Sequence, residues 1–287
     1  MNGFHLAGII PVAGQPLDFG MPWHDSLMPL APNYLAVERA VVECAYAGCE
    51  TIWVVCNDDM QPLIRHRLGD YVQDPVWVYR HYEYKKANYQ KPIPIYYVPI
   101  HPRDRNKRDC LSWSVLYGAW RSTKISSALS RWFGPDMFYV AFPYGVYHVS
   151  VPRDHRKVIS SGQKVVLTHE GRSVSDGEYL GFTFNPEDLE KLNSEVKLKS
   201  TGLYTNQERT EKLPLDQRFS YRWFQLEEVF DTLDNQDAHK IEVSKYWKID
   251  SWEGYRRYLA EGAEKFKRPA KRILNYKEWN GIGIDEE

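Results

Sequence analysis

Short apolar runs alternate with amphipathic stretches through the first half of the chain. Leu6-Ala7-Gly8-Ile9-Ile10-Pro11-Val12 is uniformly apolar and stops at Ala13-Gly14-Gln15-Pro16, where Gly and Pro interrupt regular structure. A loop rich in Gly, Pro, Asp and His follows. Tyr34 to Ala47 then carries Leu35, Val37, Val41, Val42 and Ala45 at helical spacing and ends at Gly48, a common helix terminator. Thr51-Ile52-Trp53-Val54-Val55-Cys56 is again continuously apolar, as in a parallel strand covered on both faces. Strand, loop, helix, strand predicts a βαβ unit.

Pro62 to Leu68 reads as a second helix closing at Gly69, and Ile95 to Ile100 as a third strand after a Lys- and Tyr-rich insertion between Tyr79 and Lys91. A helix from about Cys110 to Trp120, and another through Phe133, lead to a fourth apolar run, Met137 to Phe142. This alternation predicts an α/β fold with a doubly wound, mostly parallel, Rossmann-like sheet. Beyond it come strand-like pieces, Lys164 to Thr168 and Tyr179 to Phe184, as a smaller mixed β region. Pro186 to Leu192 reads as a short helix capped by Asn185, Trp223 to Leu233 as another helix, and Lys240 to Ile249 as a strand. Ser251 to Phe266 is a terminal amphipathic helix with Ser251 at its N-cap and Trp252, Tyr255, Tyr258, Leu259 and Ala263 on one side. The expected organisation is one α/β domain over 1–268 and a polar, loosely held tail over 269–287.

Composition narrows the function classes. The 287 residues carry 37 Lys+Arg against 38 Asp+Glu, so overall charge does not drive binding to nucleic acid. The four cysteines, Cys44, Cys49, Cys56 and Cys110, lie in or beside apolar runs without C-x-x-C spacing, which suits reduced buried thiols and a cytoplasmic protein. No run approaches the ~18 apolar residues of a membrane span. The 20 Tyr and 10 Trp supply core filling and candidate stacking surfaces, Trp23, Tyr144 and Tyr147 among the latter. G-x-S-x-G, H-E-x-x-H and P-loop patterns are missing, which removes several large enzyme classes.

Ligands of a doubly wound sheet bind beyond the carboxyl ends of its strands, so the loops after Val12, Cys56, Ile100 and Phe142 are the candidate sites. The loop at Gly14 can offer backbone N–H groups to phosphate, or simply cross the surface. Ala7 to Gly14, then Ser26-Leu27-Met28-Pro29-Leu30 before a helix ending Ala47-Gly48-Cys49, then Ile52-Trp53-Val54-Val55, resembles the amino-terminal half of the sugar-phosphate nucleotidylyltransferases. Later pieces follow in order. Asp176-Gly177-Glu178-Tyr179 with Gly181-Phe182-Thr183-Phe184 resembles the region that meets the sugar, and Tyr246 to Tyr255 resembles the closing strand and helix start.

The resemblance implies a nucleotide-diphospho-sugar transferase type of sheet that binds a nucleoside triphosphate or nucleotide sugar together with a sugar phosphate. It implies nucleotide contacts at Ala13, Gly14 and Gln15, and, from a helix start like that of pyrimidine-specific relatives, at Ser112 and Ser114. Arg105, Lys107 and Arg108, in the segment Arg103-Asp104-Arg105-Asn106-Lys107-Arg108-Asp109, would supply catalytic charge on the phosphates. Asp250 would hold Mg²⁺, or serve only to begin a helix. The sequence also departs from the family pattern. Gly14 to Gly20 has no Arg, His24 and Asp25 stand near the place of a family Lys, and Phe142-Pro143-Tyr144-Gly145 has no Asp.

The basic segment reads equally well as a solvated loop with internal Asp–Arg pairing. His24 beside Asp25 and the Asp154-His155 pair are the candidate acid–base groups. Three functions stay open at this stage: a nucleotidyltransferase, a nucleotide-sugar-dependent glycosyltransferase, or a catalytically silent binding or assembly protein on the same fold. In the last case the aromatic stretch Trp77 to Tyr97 would be a contact surface.

Overall fold

The apolar runs become the centre of an eight-stranded sheet. β1 (Leu6–Pro11) is buried along its whole length and pairs in parallel with β4 (Thr51–Cys56) on one side and β7 (Met137–Val140) on the other. Successive side chains of a strand point to opposite faces, so these runs feed two cores. Leu6, Ile10, Ile52, Val54 and Cys56 pack on one face; Ala7, Ile9, Trp53 and Val55 pack on the other. That two-sided burial is why the sequence shows no polar alternation in these strands.

The coordinates are a computed structural model and describe residues 4–14, 24–80, 91–102, 104–105, 110–129, 134–201, 210–211, 224–231, 233 and 237–274. The remaining strands are β2 (Pro29–Ala31), β3 (Tyr34–Leu35), β5 (Tyr71–Gln73), β6 (Pro92–Pro99), β8 (Gly145–Val146), β9 (Val165–Thr168), β10 (Phe182–Phe184), β11 (His239–Glu242) and β12 (Trp247–Lys248). The main sheet runs β11-β9-β10-β7-β1-β4-β6-β5, while β12 pairs with β8 and β2 with β3 in two small sheets. Within the main sheet β10 and β5 run against their neighbours and the other strands share one direction. The doubly wound, mostly parallel α/β fold is as expected.

Helix α1 (Ala36–Ala47) covers one face, closed by Gly48, whose N–H bonds the Cys44 carbonyl. The sequence pattern marks a single apolar stripe on it, yet all its residues are buried, Glu38, Arg39 and Glu43 included. The charges survive because they are paired. Arg39 Nη1 lies 2.8 Å from Glu43 Oε2, and Glu43 Oε1 accepts from the Tyr139 and Tyr147 hydroxyls. Burial pushes the Glu43 carboxyl up from its ordinary value, while Arg39 and the two tyrosines pull it back. Glu38 is held by Arg67 at 2.8 Å and Arg268 at 3.1 Å.

Helices α2 (Gln61–Leu68) and α3 (Pro75–Arg80) follow β4 and β5, and α3 occupies part of what reads as an insertion; 81–90 lie outside the described residues. Helix α4 (Leu111–Leu129) covers the second face as one unbroken helix. After the short helices α5 (Ser150–Asp154) and α6 (Arg156–Ile159), helix α7 (Pro186–Thr201) runs past the expected stop at Leu192. Helix α8 (Leu226–Phe230) is shorter than expected. The single strand expected over Lys240 to Ile249 divides into β11 and β12, because the chain turns at Ser244 and Lys245 to leave the main sheet.

Helix α9 (Trp252–Glu261) begins as expected, with Ser251 Oγ accepting from the Gly254 N–H. Its apolar face divides differently. Tyr255 and Tyr258 are buried and donate to the Pro29 and Leu30 carbonyls, whereas Trp252 and Leu259 stay about half exposed. The segment expected to open a loose tail is fastened down: Ile273 and Leu274 are fully buried and the Gln73 N–H bonds the Ile273 carbonyl.

Candidate functional site at the carboxyl rim

Because β1, β4, β6, β7 and β9 run together, the residues that follow them emerge along one rim. Gly14 leaves β1 with φ +79°, and a Cβ there would come within 2.6 Å of the Cys110 backbone at the start of α4. Only a residue without a side chain lets the loop lie against that helix. Ala13 is held in the same place, its N–H bonding the Val55 carbonyl and its carbonyl accepting from Ser114 Oγ at 2.5 Å.

Ser112 and Ser114, expected at the ligand, are fully buried. Ser112 Oγ faces the Gln225 carbonyl at 3.4 Å, and Ser114 ties α4 to the end of β1. Their hydroxyls are engaged within the protein, so they position the rim instead of facing it. Gln15, Lys107 and Arg108 lie outside the described residues, as do Trp23 and the rest of the loop over 15–23.

Arg105 follows β6 and reaches across to Asp58, which follows β4, with Nη2–Oδ2 at 2.7 Å. The basic segment reads in the sequence as pairing internally; Arg105 pairs instead with a carboxylate from the loop after β4. His24 and Asp25 also lie near the rim. Burial lowers the His24 imidazole, with Asp59 pulling the other way, and burial raises the Asp25 carboxyl. Burial also pushes the Cys56 thiol at the end of β4 up to about 12, so it is no nucleophile at neutral pH.

At the end of β7, Tyr144 and Tyr147 are fully buried and so are not stacking platforms. Tyr144 donates to the Val12 carbonyl at 3.2 Å, tying the ends of β7 and β1 together. The Ile249 N–H bonds the Tyr144 carbonyl, which sets Asp250 beside the same rim. A Cβ on Gly145 would collide with the Tyr179 carbonyl, so this glycine lets the approach to β10 pass over β8. The Asp154-His155 pair lies elsewhere. Asp154 pairs with Arg153, and His155 meets the Val151 carbonyl, near the far end of α1 where Arg156 bonds the Ala45 carbonyl.

Sequence reasoning passed over Lys248. Its Nζ lies 3.4 Å from Asp250 Oδ2, donates to the Gly177 carbonyl at 3.2 Å and sits 5.0 Å from the Tyr179 ring centre. Its two-residue spacing from the quoted Asp250 was the available signal. Beside it opens a cavity of about 260 Å³ whose lining includes His169, Arg172, Glu178, Tyr246 and Arg257.

Mg²⁺ takes near-octahedral oxygen ligands and is usually held by one or two carboxylates plus phosphate and water. Asp250 is already paired with Lys248, Asp58 with Arg105, and the end of β7 supplies a tyrosine. Among the described residues no group of three or more His, Cys, Asp or Glu converges as a metal site. Paired in this way, Asp250 and Asp58 are a poor ligand set for a divalent ion.

With this geometry, the chain superposes on solved structures of sugar-phosphate nucleotidylyltransferases. A UDP-glucose pyrophosphorylase complexed with UDP-glucose matches with a TM-score of 0.53 and 14% identity, over 92% of this chain and 100% of that one. The fold is that of the sugar-phosphate nucleotidylyltransferases. A Bacillus anthracis protein assigned as a glucose-1-phosphate thymidylyltransferase, crystallised with a sucrose, matches with a TM-score of 0.56 and 8% identity over 96% and 99% of the two chains. The UDP-glucose pyrophosphorylase of Acinetobacter baumanii matches at 0.52 and 13% over 92% and 95%. No family model and no curated protein sequence matches the chain. Among the described residues no helix is long and apolar enough to cross a membrane.

Proposed function

We propose that this chain binds a nucleoside triphosphate or nucleotide sugar along the carboxyl rim and joins a nucleoside monophosphate to a sugar phosphate, releasing pyrophosphate. The observation that carries the reading is convergence: Gly14, Arg105 and the Lys248–Asp250 pair, from distant parts of the sequence, reach one rim of a sheet with the nucleotidylyltransferase fold.

In this reading a phosphate oxygen of the sugar phosphate attacks the α-phosphorus in line. The bond from that phosphorus to the pyrophosphate oxygen breaks, and pyrophosphate leaves with the electron pair. Such transfer depends on positioning and charge neutralisation more than on covalent chemistry. The backbone at Gly14 lies against the phosphates, with Ala13 fixed behind it by its bonds to Val55 and Ser114, and Arg105 and Lys248 carry positive charge toward them. Gln15, Lys107 and Arg108 keep the roles that the resemblance gives them. Asp250 orients Lys248.

The test is a thermal-shift screen of nucleoside triphosphates and nucleotide sugars followed by product analysis with glucose 1-phosphate. The expected result is a stabilising nucleotide and formation of pyrophosphate with a nucleotide sugar. Release of a nucleoside diphosphate would make the protein a glycosyltransferase. Stabilisation without turnover would make it a binding protein, and no stabilisation by any of these compounds would end the nucleotide reading.

A further inference from the structure

Resting on that reading, we infer that the site neutralises its phosphorylated ligand with the ammonium of Lys248 in the place of a divalent metal ion. Lys248 projects from β12 and is held from two sides, by the Gly177 carbonyl at 3.2 Å and by Asp250 at 3.4 Å. An ammonium has three N–H donors; one is given to the Gly177 carbonyl while the Asp250 charge draws the group from the other side, which aims it and leaves donor capacity for a phosphate oxygen. The Tyr179 ring beneath it at 5.0 Å further favours a cation at this point.

The same geometry works against Mg²⁺. A dication approaching Asp250 would stand close to the fixed ammonium and compete with it for one carboxylate. Glu178, in the lining of the same cavity, is committed to Arg172 at 2.6 Å, and Asp58, in the loop after β4, to Arg105 at 2.7 Å. The cavity beside Lys248 is lined by Arg172 and Arg257 and by Glu170 and Glu178; Arg172 is paired with Glu178 and Arg257 with Glu261, while the Gly177 carbonyl holds Lys248. A dianionic diphosphate held this way exchanges its water for charge-assisted hydrogen bonds.

Calorimetric titration of the full chain with UDP-glucose, dTDP-glucose and inorganic pyrophosphate, each in EDTA and in excess Mg²⁺, tests the inference. For the compounds that bind, the expected Kd is the same within about threefold in the two buffers, and Lys248→Met weakens it about tenfold or more. Lys248→Arg, which keeps the charge, retains most of the affinity, and this guards against a Met variant that merely misfolds. Asp250→Asn is expected to bind severalfold more tightly, because Lys248 is released toward the ligand. Binding that tightens about tenfold in Mg²⁺, or an Asp250→Asn chain that loses affinity, overturns the inference and leaves the nucleotide reading standing. Failure of all three compounds in both buffers counts against both.

Discussion

At the scale of single residues, the rim is built from side chains whose ordinary behaviour is altered by burial. Asp25 is the plainest case. Its carboxyl binds protons more tightly in the folded chain than at its ordinary value of 3.8, with desolvation as the cause. A raised carboxyl favours the folded state at low pH, and this contribution is lost as the pH rises through the folded-state value. Asp25→Asn is therefore expected to raise the melting temperature at about pH 7 and leave it nearly unchanged at about pH 3, where both states are protonated. Equal shifts at the two pH values in a thermal melt would remove burial of the charge as the explanation. Part of this scale was legible beforehand. Gly14 stands out in the sequence as a breaker after an apolar run, and the structure explains it by contact with Cys110. Ser112 and Ser114 were expected as ligand contacts from the resemblance of their helix start to that of pyrimidine-specific relatives, but their hydroxyls bond to backbone far away in the sequence.

At the scale of elements, α1 is the part whose sequence is most misleading. A helix carrying Glu38, Arg39 and Glu43 reads as having a polar face in water, yet β3, α3, α5 and α6 all pack against it. Arg39 also donates to the Phe142 carbonyl at 2.7 Å, so the buried pair ties α1 to the end of β7 and hence to the rim. Removing one member of such a pair leaves an uncompensated charge. Arg39→Met is expected to cost about 3–5 kcal/mol in denaturant unfolding. Arg39→Met combined with Glu43→Gln, which keeps an oxygen for Tyr139 and Tyr147, is expected to recover most of that loss. Additive effects of the two changes would show that the pair is not coupled. The clamp of α9 on β2 works similarly, through hydroxyls of Tyr255 and Tyr258 that reach back across most of the chain.

At the scale of the whole molecule, the ends of the described chain are brought into one core. Ile273 and Leu274 fill space beside β5, so a chain ending at Arg268 loses two fully buried side chains, worth roughly 1.5–3 kcal/mol each. Thermal unfolding is expected to show a marked loss of stability for that truncation and little for a chain ending at Leu274. Equal stability of the two would contradict the packing. The apolar runs at 6–12, 51–56 and 137–142 determined by themselves the strands, their burial on both faces and the βαβ order, because the period of side chains along a strand is a local property. From that order follows which rim collects the loops. Only the tertiary structure decided that Arg105 meets Asp58, that Lys248 meets Asp250, and that Arg39 and Glu43 lie buried together between tyrosines. A charge's partner and its solvent are set by residues distant in the chain, and no local pattern encodes them.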